Sequence, residues 1–193
     1  MVGLGELNLG ENRIQEARAR VEEVGRRVAP ARPVWHLIGH VQTNKAKMVP
    51  ILFDVVHSID SVRVAEALDD ACEKQGREGL EVLVQVNVSG EESKSGLAPS
   101  ETESALRAMA TLPRLRVRGL MTMAPYEAEP EAIRRVFRGL RELRDTLHVL
   151  NIPNLSLEEL SMGMTNDFEI AVEEGATYVR IGTAVFEGIR STS

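Results

Sequence analysis

Leu160-Ser161-Met162-Gly163-Met164-Thr165-Asn166-Asp167 and Val179-Arg180-Ile181-Gly182-Thr183 are the two stretches whose reading decides the fold. Each reads as a strand end running into a turn of small residues. The first follows the apolar stretch 155–160 and the second follows Ala176-Thr177-Tyr178. Glycine frees backbone N–H groups to point at an anion, and each turn carries a hydroxyl, Ser161 or Thr183. Taken singly, either turn reads as a plain helix cap. As a pair they match the loops after the seventh and eighth strands of a (β/α)8 barrel, where phosphate is usually held.

Upstream of these turns, strand and helix alternate. A short strand at 6–9 leads through Gly10-Glu11-Asn12 into a helix with Ile14, Ala17, Val21, Val24 and Val28 on one face, ended by Pro30 and Pro33. Strands follow at 34–38 and 53–57, separated by the turn Gly39-His40-Val41-Gln42 and a short helix from Thr43. Ser58 and Asp60 stand where a cap is expected for a helix that turns Val64, Ala67, Leu68 and Ala71 inward. The run 80–88 is apolar nearly throughout, the mark of a strand covered on both faces in a parallel sheet. A polar loop, a helix at 100–111 and a strand at 115–121 precede a long helix at 129–147, whose inward face carries Ile133, Val136, Phe137, Leu140 and Leu147. A strand at 155–161, a helix at 167–174 and a strand at 178–181 follow.

Such alternation calls for a parallel α/β fold with right-handed crossovers. An open doubly wound sheet places its glycine-rich phosphate loop after the first strand, whereas the glycine turns here come last. The expectation is therefore an α/β (β/α)8 TIM barrel, one domain over 1–193, with seven strands present and strand 1 and its helix lacking.

Composition narrows the function. With 43% hydrophobic and 27% charged residues the chain is an ordinary soluble globular domain. A net charge of −6 gives no basic face for nucleic acid, and Arg114, Arg116 and Arg118, alternating along one strand, read as a solvated face. One cysteine, Cys72, rules out an internal disulfide and suits a reducing compartment. No apolar run approaches the ~20 residues of a membrane helix, and the N-terminus lacks a signal pattern. A cytoplasmic protein without nucleic-acid or membrane partners is expected. No metal-ligand spacing, nucleophile elbow or Walker loop is present, so neither a metal site nor a catalytic residue is assigned. His36 and His57, set among apolar residues, read as hydrogen-bonded core histidines. Met121, Met123, Met162 and Met164 gather at strand ends, as core filler or as the apolar side of a ring pocket. Arg180 shares the facing of Gly182, and as a buried cation it needs a partner, of which Glu159 or Glu169 is the structural choice. Asn12 reads as a helix N-cap.

Seven ordered segments carry a resemblance. They are Gly10-Glu11-Asn12, Trp35-His36-Leu37-Ile38-Gly39-His40-Val41-Gln42-Thr43-Asn44-Lys45, His57-Ser58-Ile59-Asp60, residues 91–96, Gly119-Leu120-Met121, the Ser161 turn and the Arg180 segment. Together, over nearly the whole chain, they closely resemble the pyridoxal phosphate homeostasis proteins. The resemblance implies a single barrel like the N-terminal domain of alanine racemase, with pyridoxal 5′-phosphate at its mouth. It implies that Ser161, Gly182 and Thr183, with the N–H groups around Gly163, hold the phosphate. Arg180 is then placed near the phosphate or the pyridine nitrogen, and Asn12 beside the ring. An arginine facing that nitrogen keeps it unprotonated and weakens the ring as an electron sink.

The family's Schiff-base lysine lies in a Val-Ser-Lys-type segment on the first strand, and this chain has no such segment. Its four lysines, Lys45, Lys47, Lys74 and Lys94, fall in later helices or loops, so no Schiff-base residue is carried over; Lys94 is the only conceivable substitute. The implied function is a non-catalytic pyridoxal phosphate binding protein of intracellular vitamin B6 homeostasis, with pyridoxal phosphate and pyridoxal phosphate-dependent apoenzymes as partners. A fold-type III racemase or decarboxylase, and a truncated fragment unable to bind, are the alternatives. The family implies a monomer. Without strand 1, however, the strands at 6–9 and 178–181 become open edges that invite self-association and marginal stability.

Overall fold

Each strand pairs in parallel with the next one in the chain, so hydrogen-bonded neighbours are also neighbours in sequence. The computed structural model describes residues 5–91, 93–126 and 128–186. It begins with β1 (Asn8–Glu11), α1 (Ile14–Val28) and β2 (Val34–Leu37), then a 3-10 helix over Thr43–Met48 continued by α2 (Val49–Leu52). β3 (Val55–Ile59), α3 (Val62–Lys74), β4 (Leu80–Gln85), α4 (Pro99–Met109) and β5 (Leu115–Met121) form the middle. α5 (Pro130–Val149), β6 (Leu155–Met164), α6 (Phe168–Glu173), β7 (Tyr178–Arg180) and α7 (Thr183–Phe186) complete the order.

Two contacts show that this sheet is rolled up. Neighbouring strands lie about 4.8 Å apart, so three intervals of a flat sheet span roughly 14 Å. Yet His57 on β3 and Ser161 on β6, three intervals apart, meet at 2.8 Å. His36 on β2 and Tyr178 on β7, five intervals apart, bring their rings to 5.5 Å. The seven strands therefore curl into a barrel with its side chains meeting inside, as expected. β1 and β7 end the sheet order, and among the described residues no hydrogen-bonded register joins them.

The strand alternation sorts residues between two compartments. On β4, Leu80, Val82 and Val84 belong to the large core under the helices, while Leu83 joins Val55 and Met121 inside the barrel, with Val34 and Tyr178 packed on them. This double burial is why residues 80–85 read as continuously apolar. Above the inner apolar plug, the next inward positions are polar: His36, His57, Gln85, Ser161 and Arg180. On the outside, the five residues expected to face inward from the long helix are the buried residues of α5. Glu174, after α6, is buried and collects Arg134, Arg138 and Arg141 from α5 at 3.2, 3.0 and 2.9 Å.

Several local expectations need correction. The first strand lies at Asn8–Glu11, not 6–9, because Gly10 and Glu11 pair with β2 rather than turning. The strand expected at 80–88 ends at Gln85, beyond which only the single bridge Val86–Leu97 remains. α3 is capped by Ser61, whose Oγ accepts from the Val64 N–H, while Ser58 lies in β3 and donates to the Gly39 carbonyl at 2.6 Å. Asn12 is not an N-cap. Arg13 holds that position, and the nearly buried Glu11 carboxylate accepts the N–H groups of both Asn12 and Arg13. The arginine row on β5 is paired as well as solvated: Arg114 reaches Asp69 and Glu73, and Arg118 reaches Glu81 and Glu158.

Gly119 marks the tightest strand contact, since a Cβ there would lie 1.9 Å from the Glu159 carbonyl oxygen on β6. Gly119→Ala should therefore lower stability by about 3 kcal/mol, the upper range for overpacking. Gly25, inside α1 with open space around it, should behave oppositely, with Gly25→Ala raising stability by roughly 0.5–1 kcal/mol. Urea titration of both variants checks the pair; equal midpoints for Gly119→Ala and the parent would show that β5 and β6 do not approach this closely.

Candidate functional site

The two glycine turns lie side by side. β6 and β7 pair in parallel with Ser161 opposite Tyr178 and Met164 opposite Arg180, so both strands end at one rim. The first of them is not a turn from Ser161 onward, as its small residues suggested: β6 runs on through Gly163 to Met164. Gly163 sits at φ +92°, and a Cβ there would come within 2.5 Å of the Ala171 Cβ, so only glycine lets α6 close over this strand end. Asp167 then turns back, its Oδ1 accepting the Met164 N–H at 2.5 Å. Gly182 follows β7 with open space beside it, and the exposed Thr183 opens α7.

Arg180 points from this rim into the barrel. Its Nη1 donates to Ser161 Oγ at 2.7 Å and its Nη2 to the Thr122 carbonyl at 3.0 Å. Among the described residues it pairs with no carboxylate; neither Glu159 nor Glu169 reaches it, which removes the ion pair anticipated for it. Burial draws its pKa down to about 10, against the pull of Asp167, so it remains a cation at neutral pH. A guanidinium carries five N–H donors, and a hydroxyl and a carbonyl do not neutralise it.

Behind Ser161 runs a buried polar line. His57 Nδ1 lies 2.8 Å from Ser161 Oγ, His57 Nε2 lies 2.9 Å from His36 Nδ1, and His36 Nε2 lies 3.1 Å from Asn8 Oδ1. Tyr178 packs edge-on against His57 and tilted against His36. Burial, with the neighbouring His36 and Arg180, pushes the His57 pKa down to about 3, and burial lowers that of His36 as well. Both rings are thus neutral at physiological pH. The reading of both as hydrogen-bonded core histidines fits this placement, but their link to Ser161 was not legible. The signal available was the shared two-residue rhythm that points positions 36, 57, 161 and 180 inward from four strands.

Other candidate residues stand apart from this line. Asn12 is exposed in the loop after β1, and its side chain forms no hydrogen bond among the described residues. Lys94 lies at the rim after β4, with Nζ 3.0 Å from Glu91 Oε1 and 3.5 Å from the carbonyl of Met123, the residue after Thr122. Lys45 and Lys47 sit on the 3-10 helix and Lys74 in the last turn of α3, on the outer shell. Met121 and Met162 are buried, while Met123 and Met164 are exposed at the rim. No cluster of three metal-ligating side chains occurs among the described residues, and no described helix is long and apolar enough to cross a membrane.

Neutral buried histidines fix a pH dependence. A histidine whose folded pKa lies near 3 takes up its proton in the unfolded chain first. Its neutral form thus holds full stability above about pH 6.5, and stability falls by about 1.4 kcal/mol per pH unit below that. Denaturant titration should show that His57 contributes a loss on the order of 2 kcal/mol between pH 6.5 and 5, so that a His57→Leu variant loses less over this range by that amount. An identical slope in both proteins would refute the buried neutral ring.

Comparison with known proteins gives the family. The alanine racemase N-terminal domain family matches residues 5–189. A pyridoxal phosphate homeostasis protein of Aquifex aeolicus is 42% identical over 177 residues, covering 92% of this chain and 75% of its own. One of Pseudomonas aeruginosa is 44% identical over 179 residues, covering 93% and 73%. The PipY protein of Synechococcus elongatus, solved with pyridoxal phosphate bound, superposes with a TM-score of 0.81 at 35% identity, covering 92% of this chain and 80% of that one. Alanine racemase from Corynebacterium glutamicum, at 17% identity and a TM-score of 0.67, shares the fold alone. Identity at this level along nearly the whole length, on a barrel of the alanine racemase type, means that the chain belongs to the pyridoxal phosphate homeostasis protein family.

Proposed function

We propose that this protein binds pyridoxal 5′-phosphate at the rim formed by β6 and β7 and serves vitamin B6 homeostasis without turning over a substrate. The observation that carries the reading is Arg180, a partly desolvated guanidinium whose described partners are a hydroxyl and a carbonyl, set beside two glycine strand ends. A phosphate dianion supplies the charge such a site lacks. Ser161, expected among the phosphate holders, is fully buried and engaged by His57 and Arg180, so in this reading the N–H groups near Gly163 and Gly182 and the Thr183 hydroxyl hold the phosphate. Arg180, supported by Ser161, faces the phosphate or the pyridine nitrogen, and Asn12 borders the ring.

The residues present fit the phosphate and not a covalent amine. Lys94 Nζ is engaged by Glu91 and the Met123 carbonyl, and the other three lysines lie on outer helices. When bound, pyridoxal phosphate offers an aldehyde to amines and a ring that withdraws electrons. A cationic Arg180 at the pyridine nitrogen opposes its protonation and so weakens that withdrawal. The arrangement therefore favours storage and release over carbanion chemistry. Handover to pyridoxal phosphate-dependent apoenzymes, a cytoplasmic setting, and either a monomer or self-association through the outer edges of β1 and β7 belong to the same reading.

An absorbance titration with pyridoxal phosphate tests it. Saturable binding that inorganic phosphate displaces is expected, with no lysine adduct after borohydride and no amino acid consumed. Arg180→Met should weaken binding at least about tenfold, the equivalent of ~1.4 kcal/mol. No saturation at millimolar pyridoxal phosphate would overturn the proposal, and turnover of an amino acid would mark a racemase or decarboxylase instead.

A further inference from the structure

The hydrogen bonds behind Ser161 have their direction fixed from both ends. Arg180 Nη1 only donates, so Ser161 Oγ accepts from it at 2.7 Å. At the far end Asn8 commits its amide Nδ2 to Glu6 Oε1 at 3.1 Å, which leaves Oδ1 facing His36 Nε2 at 3.1 Å. An acceptor there requires the His36 proton on Nε2. His36 Nδ1 is then bare and accepts from His57 Nε2 across 2.9 Å. His57 Nδ1 is bare in turn and takes the Ser161 proton across 2.8 Å. Each neutral imidazole spends one N–H and one lone pair, and every link holds one proton. Shifting the proton on either ring sets donor against donor or lone pair against lone pair.

We propose that Asn8, His36 and His57 are positioning residues for Arg180: the one-way chain Arg180→Ser161→His57→His36→Asn8 turns the Ser161 proton inward, fixes Ser161 as an acceptor for the guanidinium, and leaves the remaining N–H groups of Arg180 for an anion at the rim. This rests on the rim being the pyridoxal phosphate site. Ser161 accordingly acts on the anion through Arg180, because its one proton is already directed to His57. The exposed Asn8 on β1 is thereby coupled to a site on β7 that it does not touch. The charged and titratable groups around the rings are Arg180 and Tyr178 on β7, with Glu6 and Asp54 acting on His36. Protonating either ring puts a second donor into a link that needs an acceptor.

Long-range 1H–15N spectra of the ligand-free protein test the chain directly. Both His36 and His57 should be neutral with the proton on Nε2 at pH 7, and His57 should stay so at pH 6. A proton on Nδ1 of either ring, or a charged His57 at pH 6, overturns the assignment. Binding supplies the second arm, because Asn8 is exposed and its replacement leaves the core intact. Asn8→Leu should weaken pyridoxal phosphate binding about fivefold, and adding it to Ser161→Ala should cost little more than Ser161→Ala alone. Asn8→Asp, which keeps an acceptor at the end of the chain, should retain the parent tautomers and affinity. Parent-like affinity in Asn8→Leu, or full additivity in the double variant, refutes the coupling. If the parent protein binds no pyridoxal phosphate, the proposed function fails while the tautomer spectrum still decides the chain.

Discussion

A cation at the barrel mouth that no carboxylate among the described residues neutralises is the constraint that the rest of the site answers to. Desolvating a guanidinium is costly, and a bare carbonyl and hydroxyl recover only part of that cost. The fold reduces the remainder by geometry. Rolling the sheet brings Thr122 at the end of β5 and Ser161 on β6 within reach of Arg180 on β7. It also lets Ser161 rest on His57 from the opposite wall. The same curvature that gathers the inner apolar plug thus organises the polar layer. Among the described residues an excess positive charge survives this arrangement, and on it rests the proposal that the rim takes an anion.

The layers divide the labour. The inner plug of Val55, Leu83 and Met121 anchors the lower half of the barrel, and the helices seal the outer face of the strands. The polar layer lies between plug and rim, where hydrogen bonds are strengthened by low local dielectric and errors in pairing are expensive. Two neutral imidazoles suit this position because each passes on one hydrogen bond and adds no charge. A carboxylate in their place would neutralise Arg180 internally and remove the reason proposed for an anion to bind there.

Much of the fold could be read from the chain because its signals are local. α5 showed its five inward residues through helical spacing, and β5 was legible to its last residue. Boundaries slipped where side chains, not propensity, decide them: Glu11 holds two N–H groups and delays the first turn, and Ser61 caps α3 in place of its neighbours. The adjacency of the Ser161 and Arg180 segments followed from counting strands. What sequence could not supply was which inward side chains meet. His57 and Ser161 stand 104 positions apart, and their contact depends on how tightly the sheet rolls. Asn8 escaped notice as an unremarked polar residue of β1, whose partner His36 on the neighbouring β2 shows only once the two strands are paired. Likewise, Glu159 and Glu169 were plausible counter-ions by proximity in sequence, yet among the described residues neither pairs with Arg180, whose partners are Ser161 and Thr122.

The apolar plug has a further meaning for traffic. With Val34, Val55, Leu83, Met121 and Tyr178 stacked across the bore, the barrel is a cup, not a conduit, and nothing crosses it along its axis. On the proposed function, pyridoxal phosphate settling against the polar layer arrives and departs by the same lip, so loading and unloading take turns. An acceptor would then face that lip, while the opposite end is free to vary without disturbing the exchange.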